Sequence, residues 1–262
     1  MEFLGYILAI FVGVSLGLIG AGGSILTVPI LVYILKMDAV MATAYSLFIV
    51  GITSMVGAIR SYFLQLVNIK TAFLFGIPSI ITAYLVRAFV IPAIPNQLFS
   101  VGEFIITKSI LLLIIFAVVM IIASYKMIQP KINSQTTIHK PQMSLLLING
   151  FGVGILTGLV GAGGGFLIIP ALVLVFQMPI NKAVGTSLLI ITMNTLFSFF
   201  GSIQTIHPNW LFLIKFSLFS IVGIFIGVAL SKKIPGEKLK SAFGWFILIM
   251  GIYILIKEIF IK

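Results

Sequence analysis

The sequence reads GLIGAGGSILTVP over residues 17–29, and the same pattern returns 141 positions later as GLVGAGGGFLIIP over residues 158–170. Each copy places a cluster of glycines, followed six residues later by a proline, inside a long apolar run. Glycine permits positive φ and close approach of backbones, and an interrupted membrane helix is typical of a transport site rather than of a plain anchor. The pair of motifs therefore predicts two flexible backbone segments within an apolar protein.

Composition indicates an integral membrane protein. Of the 262 residues, 61% are hydrophobic and 8% are charged, whereas soluble domains carry about 25% charged residues. The net charge of +11 comes from basic residues at the ends of apolar runs, so it indicates topology rather than nucleic-acid binding. The chain has no cysteine, which excludes disulfides and thiolate metal sites. The N-terminus lacks the basic region and cleavage site of a signal peptide.

Six apolar segments have the length of a single crossing, and two are too long for one. A helix of 35 residues spans about 50 Å, against about 30 Å of hydrocarbon. We therefore expect each long segment to be a re-entrant hairpin that turns at its glycines, although eight full crossings are the simpler alternative. The long segments are Met1–Leu35 and Met143–Phe176, and the predicted crossings are Ala39–Ile59, Thr71–Pro92, Lys108–Met127, Asn181–Ile203, Trp210–Ser231 and Leu239–Ile256.

The distribution of positive charge favours the hairpins. The most basic connections are Lys126–Lys140 and Lys232–Lys240, and both should be cytoplasmic. They fall on the same side only if Met143–Phe176 returns to the side from which it starts. Both termini are then outside, and so is the connection Pro92–Thr107.

The repeat extends beyond the glycines, because Met37, Ala42, Ser46, Leu47 and Ile49 match Met178, Ala183, Ser187, Leu188 and Ile190 at the same offset. We therefore divide the chain into a first repeat, residues 1–128, a cytoplasmic linker, residues 129–141, and a second repeat, residues 142–262. Each repeat contributes a hairpin and three crossings, so the second enters the membrane from the opposite side. The predicted fold is an all-α membrane protein of two inverted-topology repeats, with its binding sites between the halves.

The glycine clusters and the polar residues of the following crossings are the candidate substrate-binding groups. A helix that restarts after a glycine turn presents free amides and about half a positive charge, which favours an anion. Tight packing of small residues is the alternative reading of the glycines. Pro29 and Pro170 are expected to be structural. The candidates are Gly20, Ala21, Gly22, Gly23, Ser24, Ser46, Gly161, Ala162, Gly163, Gly164, Gly165, Ser187 and Asn194.

Charged residues decide the sign of the expected ligand. Arg87 and Lys215 lie within predicted crossings, where each either extends to the outer interface or lines an anion-attracting vestibule. All five acidic residues are terminal or interfacial, which argues against a proton relay and against a cation site. His139 and His207 have no partner at metal-ligand spacing. The sequence thus predicts an anionic or neutral substrate, no catalytic residue, no metal and no cofactor.

The duplicated Gly-Ala-Gly-Gly with its proline, Gly20–Gly23 with Pro29 and Gly161–Gly164 with Pro170, resembles the TauE/SafE sulfite exporter family over essentially the whole chain. That resemblance implies a multi-pass transporter of small sulfur-containing anions, such as sulfite, sulfoacetate or related organosulfonates, in the bacterial cytoplasmic membrane. It also implies a homodimer as a family-level expectation. Two departures stand out: Thr82 and Val86 replace Gly223 and Gly227, and Ser24 stands where the second copy has Gly165. A passive anion channel and a non-transporting scaffold are the alternatives.

Overall fold

The computed structural model describes residues 2–20, 22–101, 104–128, 143–161, 163–174, 176, 178–204, 206–231 and 236–260. Helices dominate: α1 Glu2–Ile19, α2 Gly22–Pro29, α3 Ala39–Phe63, α4 Ile69–Leu85, α5 Ile91–Ala93, α6 Lys108–Ile128, α7 Met143–Val160, α8 Gly165–Leu174, α9 Ile180–Ser202, α10 Trp210–Ser231 and α11 Gly236–Phe260. Single π-helical turns extend α2 over Ile30–Ile34 and α4 over Val86–Val90. The linker, residues 129–141, lies outside the described residues.

Five helices among the described residues are long and apolar enough to cross a membrane: Ala39–Phe63, Ile69–Ala93, Lys108–Tyr125, Asn181–Ser202 and Trp210–Leu230. These correspond to five of the six predicted crossings. The sixth, Leu239–Ile256, lies within α11, which is 25 residues long. The fold is thus an all-α membrane protein apart from one short feature that the sequence analysis placed in a loop. Strands β1 Gln97–Val101 and β2 Phe104–Thr107 form an antiparallel hairpin, built from β-branched and aromatic residues around the turn.

The chain reverses direction at the first glycine cluster. Gly20 has a φ of +76°, a conformation that glycine adopts without a steric penalty. Gly23, in α2, then lies against the carbonyl of Val12 and the side chain of Leu16 in α1. The segment after the turn, α2 with its π-helical extension, ends next to the start of α1, because a Cβ placed on Gly5 would lie 3.3 Å from Cδ2 of Leu35. α1 and α2 therefore form a hairpin, not one long helix.

The second cluster turns in the same way. Gly161, Gly163 and Gly164 have φ values of +71°, +69° and +65°. Gly164 lies against Val153 and Thr157 in α7, and Gly164 and Val153 match Gly23 and Val12 at the offset of 141 positions. We call Gly20–Gly23 the first elbow and Gly161–Gly164 the second elbow.

Each hairpin packs against the other half of the chain. Gly13 of α1 meets the carbonyl of Ser220 in α10, and Gly154 of α7 meets the carbonyl of Ser79 in α4. These two contacts join residues that match at the 141-residue offset. Between the hairpins, α3 packs on α9, where Ser54 Oγ and Thr192 Oγ1 are 3.1 Å apart, and α6 packs on α11. The central α3–α9 pair is therefore covered by both hairpins.

Close helix packing at the first hairpin predicts a large effect of Gly17→Leu on stability. A Cβ on Gly17 would lie 2.8 Å from the amide nitrogen of Val228 and 3.0 Å from the Cα of Gly227. We expect a loss of about 1–3 kcal/mol in the free energy of unfolding, the usual cost of overpacking, measured by thermal unfolding in detergent. Gly152→Leu is the control, because Gly152 has no such neighbour within 4 Å. Equal melting temperatures for the two variants would contradict this packing.

Candidate functional site

The second elbow lies along the first half of α3. Gly161 contacts Thr43, and one to two turns further along α3, a Cβ on Gly163 would lie 3.4 Å from Cγ1 of Val50. The same position is 2.6 Å from Cγ2 of Thr195 in α9. The elbow therefore reaches from the start of α3 to the centre of the α3–α9 pair. Ser46, a predicted site residue, lies on α3 between the two contacts and is fully buried.

The first elbow packs against an apolar side chain of α9, and the hydroxyl next to it is hydrogen-bonded. Gly20 packs against Val184 of α9, the residue that matches Thr43 in the repeat. The hydroxyl of Ser187 donates to the carbonyl of Val184 at 2.8 Å and to the carbonyl of Gly20 at 3.5 Å. Of the predicted residues here, Ala21 lies outside the described residues, as does Ala162 in the second elbow. Gly22 and Ser24 are described only as part of the backbone of α2.

Arg87 distinguishes the second elbow from the first. Its side chain is 1% exposed, so the interpretation that Arg87 extends to the membrane interface is wrong, whereas Lys215 is exposed. Nη1 donates to Oγ1 of Thr43 at 3.1 Å. Nε and Nη2 have no hydrogen-bond partner among the described residues.

Two glycines make room for the guanidinium. A Cβ on Gly161 would collide with Nη2 of Arg87, and one on Gly201 in α9 would lie 3.1 Å from the Cβ of Arg87. The π-helical turn Val86–Val90 also changes the direction of side chains relative to a regular α-helix, and such turns are frequent at functional sites. The buried position of Arg87 thus depends on residues from α4, the second elbow and α9.

Other buried polar atoms without partners lie on the helices around Arg87. Asn194 of α9 donates from Nδ2 to the Ser79 hydroxyl of α4 at 2.6 Å, while its Oδ1 has no partner among the described residues. Because Gly201 meets Arg87 two turns further on, Ser198 lies between these two contacts. The hydroxyls of Ser46, Thr157 and Ser198 also lack a partner among the described residues, as do those of Ser15 in α1 and Ser217 in α10, where the first hairpin packs. We call the set Thr43, Ser46, Arg87, Thr157, Gly161, Asn194 and Ser198 the second-elbow site.

This arrangement is suited to an anion. A buried charge is costly unless an opposite charge or several hydrogen bonds compensate it. Two carboxylates have described side-chain partners, and neither partner is Arg87. Asp38 accepts a hydrogen bond from the Ser109 hydroxyl, and Glu258 accepts one from the Tyr33 hydroxyl. Among the residues that the structure describes, no group of three His, Cys, Asp or Glu could hold a metal ion. An anion at the second-elbow site would satisfy the free edge of Arg87 without a metal.

A cavity of about 640 Å³ lies next to the second-elbow site, lined by Asp38, Val40, Ile91, Pro92, Asn96, Lys108 and Ser109. Ile91 is one helical turn beyond Arg87, and the carbonyl of Val40 accepts a hydrogen bond from the Thr43 hydroxyl at 2.9 Å. Asp38 caps α3 by accepting from the amide of Val40 at 2.8 Å, which fixes this wall. We call the cavity the vestibule. The vestibule reaches a residue one helical turn from Arg87, and the cationic side chain of Lys108 is part of its lining.

The structure separates the predicted site residues into two groups. Ser46, Asn194 and the glycines from Gly161 lie at the second elbow, whereas Gly20, Gly23 and Ser187 lie at the first elbow. Gly165 starts α8 and is buried. The sequence analysis missed Thr43, Thr157 and Ser198 as site residues. Their signal was weak, because hydroxyl residues are common in membrane helices and usually bond their own backbone.

Comparison with known proteins identifies the family of the chain. The family profile described as "Sulfite exporter TauE/SafE" matches residues 6–254. A "Probable membrane transporter protein" of Xylella fastidiosa (strain Temecula1) is 28% identical over 257 residues, covering 93% of this chain and 91% of that protein. "Probable membrane transporter protein YunE" of Bacillus subtilis is 26% identical and covers 97% of both. No solved structure matches the chain. These names are those of transporters, not enzymes, and the chain belongs to the TauE/SafE sulfite exporter family.

Proposed function

We propose that this protein is a secondary transporter that carries a small sulfur-containing anion, such as sulfite, sulfoacetate or a related organosulfonate, across the cytoplasmic membrane. The observation that carries the proposal is the buried guanidinium of Arg87, with Nε and Nη2 unpartnered beside the second elbow. Membership in the sulfite exporter family supports the chemical class of the anion. Arg87, Ser46, Thr157 and Ser198 would supply donors to its oxygens.

The proposed architecture is an inverted-topology repeat with a re-entrant hairpin in each half. The contacts of Gly13 with Ser220 and of Gly154 with Ser79 support it. Each contact is the counterpart of the other in the repeat, as expected if the two halves are related by symmetry. The charge pattern then orients the protein with the vestibule facing outside, next to the connection Pro92–Thr107. In alternating access, the halves would rock so that the second-elbow site communicates with one side at a time. The homodimer stays a prediction.

The flux experiment uses purified protein in proteoliposomes with radiolabelled sulfite and methanesulfonate, an organosulfonate of single charge. We expect saturable uptake and counterflow, in which unlabelled anion inside the vesicle accelerates entry of the label. Gly163→Leu should abolish flux, since a side chain there would collide with Thr195, while Gly152→Leu should retain it. Large unitary currents without counterflow would instead identify a channel. Absence of both flux and anion-dependent thermal stabilisation would identify a scaffold and refute the proposal.

The vestibule predicts a role for Lys108 in recruiting the anion. Removing this charge by Lys108→Gln should raise KM by a factor of about three to ten and leave the maximal rate nearly unchanged, because the field acts on the approaching anion. The difference should shrink as ionic strength rises, since salt screens exposed charges. Lys215→Gln removes an exposed cation outside the vestibule and should leave KM unchanged. Equal effects of the two variants would exclude a specific role of the vestibule.

A further inference from the structure

We propose that the second-elbow site binds its ligand as a monoanion, held side-on by two of its oxygens against Nε and Nη2 of Arg87. The inference rests on the proposed function and deepens it by stating the charge and contact geometry of the substrate. Dianions, including sulfoacetate with its carboxyl group ionised, and halides are then poor ligands, and the preferred substrates are hydrogen sulfite and organosulfonates of single charge.

The contact geometry follows from which nitrogens of Arg87 are free. Nη1 is occupied by the Thr43 hydroxyl at 3.1 Å, and Nε and Nη2 have no partner among the described residues. Nε and Nη2 share one edge of the planar guanidinium, and their two N–H groups point in parallel directions. That edge matches a pair of oxygens on one central atom, as in a carboxylate, phosphate or sulfonate. A halide offers a single atom, so it cannot meet the two parallel N–H groups with two linear hydrogen bonds.

The charge of the ligand follows from the charge of the site. The described contacts of the Arg87 side chain include Thr43 in α3, Gly161 in the second elbow and Gly201 in α9, and none of these three residues titrates. The charges of the adjacent vestibule, Asp38 and Lys108, have opposite signs. A monoanion therefore neutralises the single buried cation, whereas a dianion leaves a net buried negative charge and pays a desolvation penalty.

Asn194 supports the same conclusion. Its Nδ2 is engaged by Ser79 at 2.6 Å, so Oδ1 is an acceptor without a donor. Beside this acceptor, a ligand that presents a hydroxyl or an apolar group is favoured over one that presents a further deprotonated oxygen, because two acceptors repel each other. The hydrogen sulfite ion and alkylsulfonates meet this condition, and both are monoanions with two oxygens available for Arg87.

The test measures ligand binding to the purified full-length protein by isothermal titration calorimetry and thermal shift. Methanesulfonate, a monoanion throughout, should bind with an affinity that does not change between acidic and alkaline buffer. Sulfite should lose affinity as pH rises through its second ionisation, and sulfate and chloride should bind about tenfold more weakly or worse. Sulfate as strong as methanesulfonate, or sulfite binding that ignores pH, would overturn the inference and leave the transporter proposal intact. No binding of any of these anions would refute both.

Arg87→Lys tests the side-on contact, because lysine keeps the charge but offers no fork of two parallel donors. We expect the preference for methanesulfonate over chloride to fall about tenfold or more in this variant. An unchanged preference would show that charge alone selects the ligand. If Arg87→Lys does not fold, the wild-type series with methanesulfonate, sulfate and chloride still decides between the outcomes.

Discussion

Arg87→Gln is expected to abolish anion binding and flux while the protein without ligand stays folded. Arg87 is the one buried cation of the second-elbow site as described, and removal of one partner from a buried charge pair costs about 3–5 kcal/mol. A loss of that size corresponds to an affinity at least about 100-fold lower. Calorimetry and proteoliposome flux, with methanesulfonate and sulfite as probes, would measure it.

The stability of the same variant separates loss of the site from loss of the fold. In the ligand-free protein, Nε and Nη2 of Arg87 are buried without partners, which is unfavourable. Glutamine removes that buried charge, so the melting temperature without anion should stay the same or rise. Lys215→Gln, at an exposed cation, should change neither binding nor stability. A variant Arg87→Gln that binds anions normally would refute the assignment of the site.

Gly161→Ala is the second change with a large expected effect, and Gly20→Ala is its matched control. Both glycines have positive φ, +71° and +76°, so each alanine stores about 1–3 kcal/mol of backbone strain. At Gly161, however, the new methyl group would collide with Nη2 of Arg87 and with Thr43. At Gly20 it would meet Val184, whose side chain is uncharged.

We therefore expect both alanine variants to melt at lower temperature and only Gly161→Ala to lose anion affinity, by about 100-fold or more if the guanidinium is displaced. Thermal unfolding with and without methanesulfonate measures both quantities on the same samples. Equal losses of affinity in the two variants would indicate that the elbows contribute equally. That result would support the symmetric pair of tips that the sequence predicts and contradict a single site at Arg87.

Much of the fold could be predicted because its signals are local. Apolar segments of membrane-spanning length follow from composition along a few turns, and five predicted crossings match helices of the structure. The turns at Gly20 and Gly161 follow from glycine clusters in segments too long for one crossing. The strands β1 and β2 were missed because short β-hairpins depend on pairing across the turn, and a charge-poor loop has the same composition.

The replacement of Gly223 and Gly227 by Thr82 and Val86 is visible in the sequence, but its consequence is visible only in the structure. The two positions break the symmetry of the repeats, and the structure shows which helix contacts differ as a result. In the first hairpin, glycine meets glycine across α1 and α10, whereas in the second hairpin Gly154 and Gly158 pack against Thr82 and Val86. The contacts remain at matched positions, although the side chains that make them differ in size.

The sequence by itself determined the membrane class and the two glycine turns and favoured an anionic or neutral ligand, since hydropathy, backbone freedom and missing acidic residues need no partner. Only the tertiary structure decided that the two elbows differ. Arg87 and Gly161 are distant in sequence, and they meet because α7 packs on α4. Whether a buried donor such as Nε of Arg87 is satisfied depends on every helix around it. That is a property of the assembled fold, which neither copy of the glycine motif encodes alone.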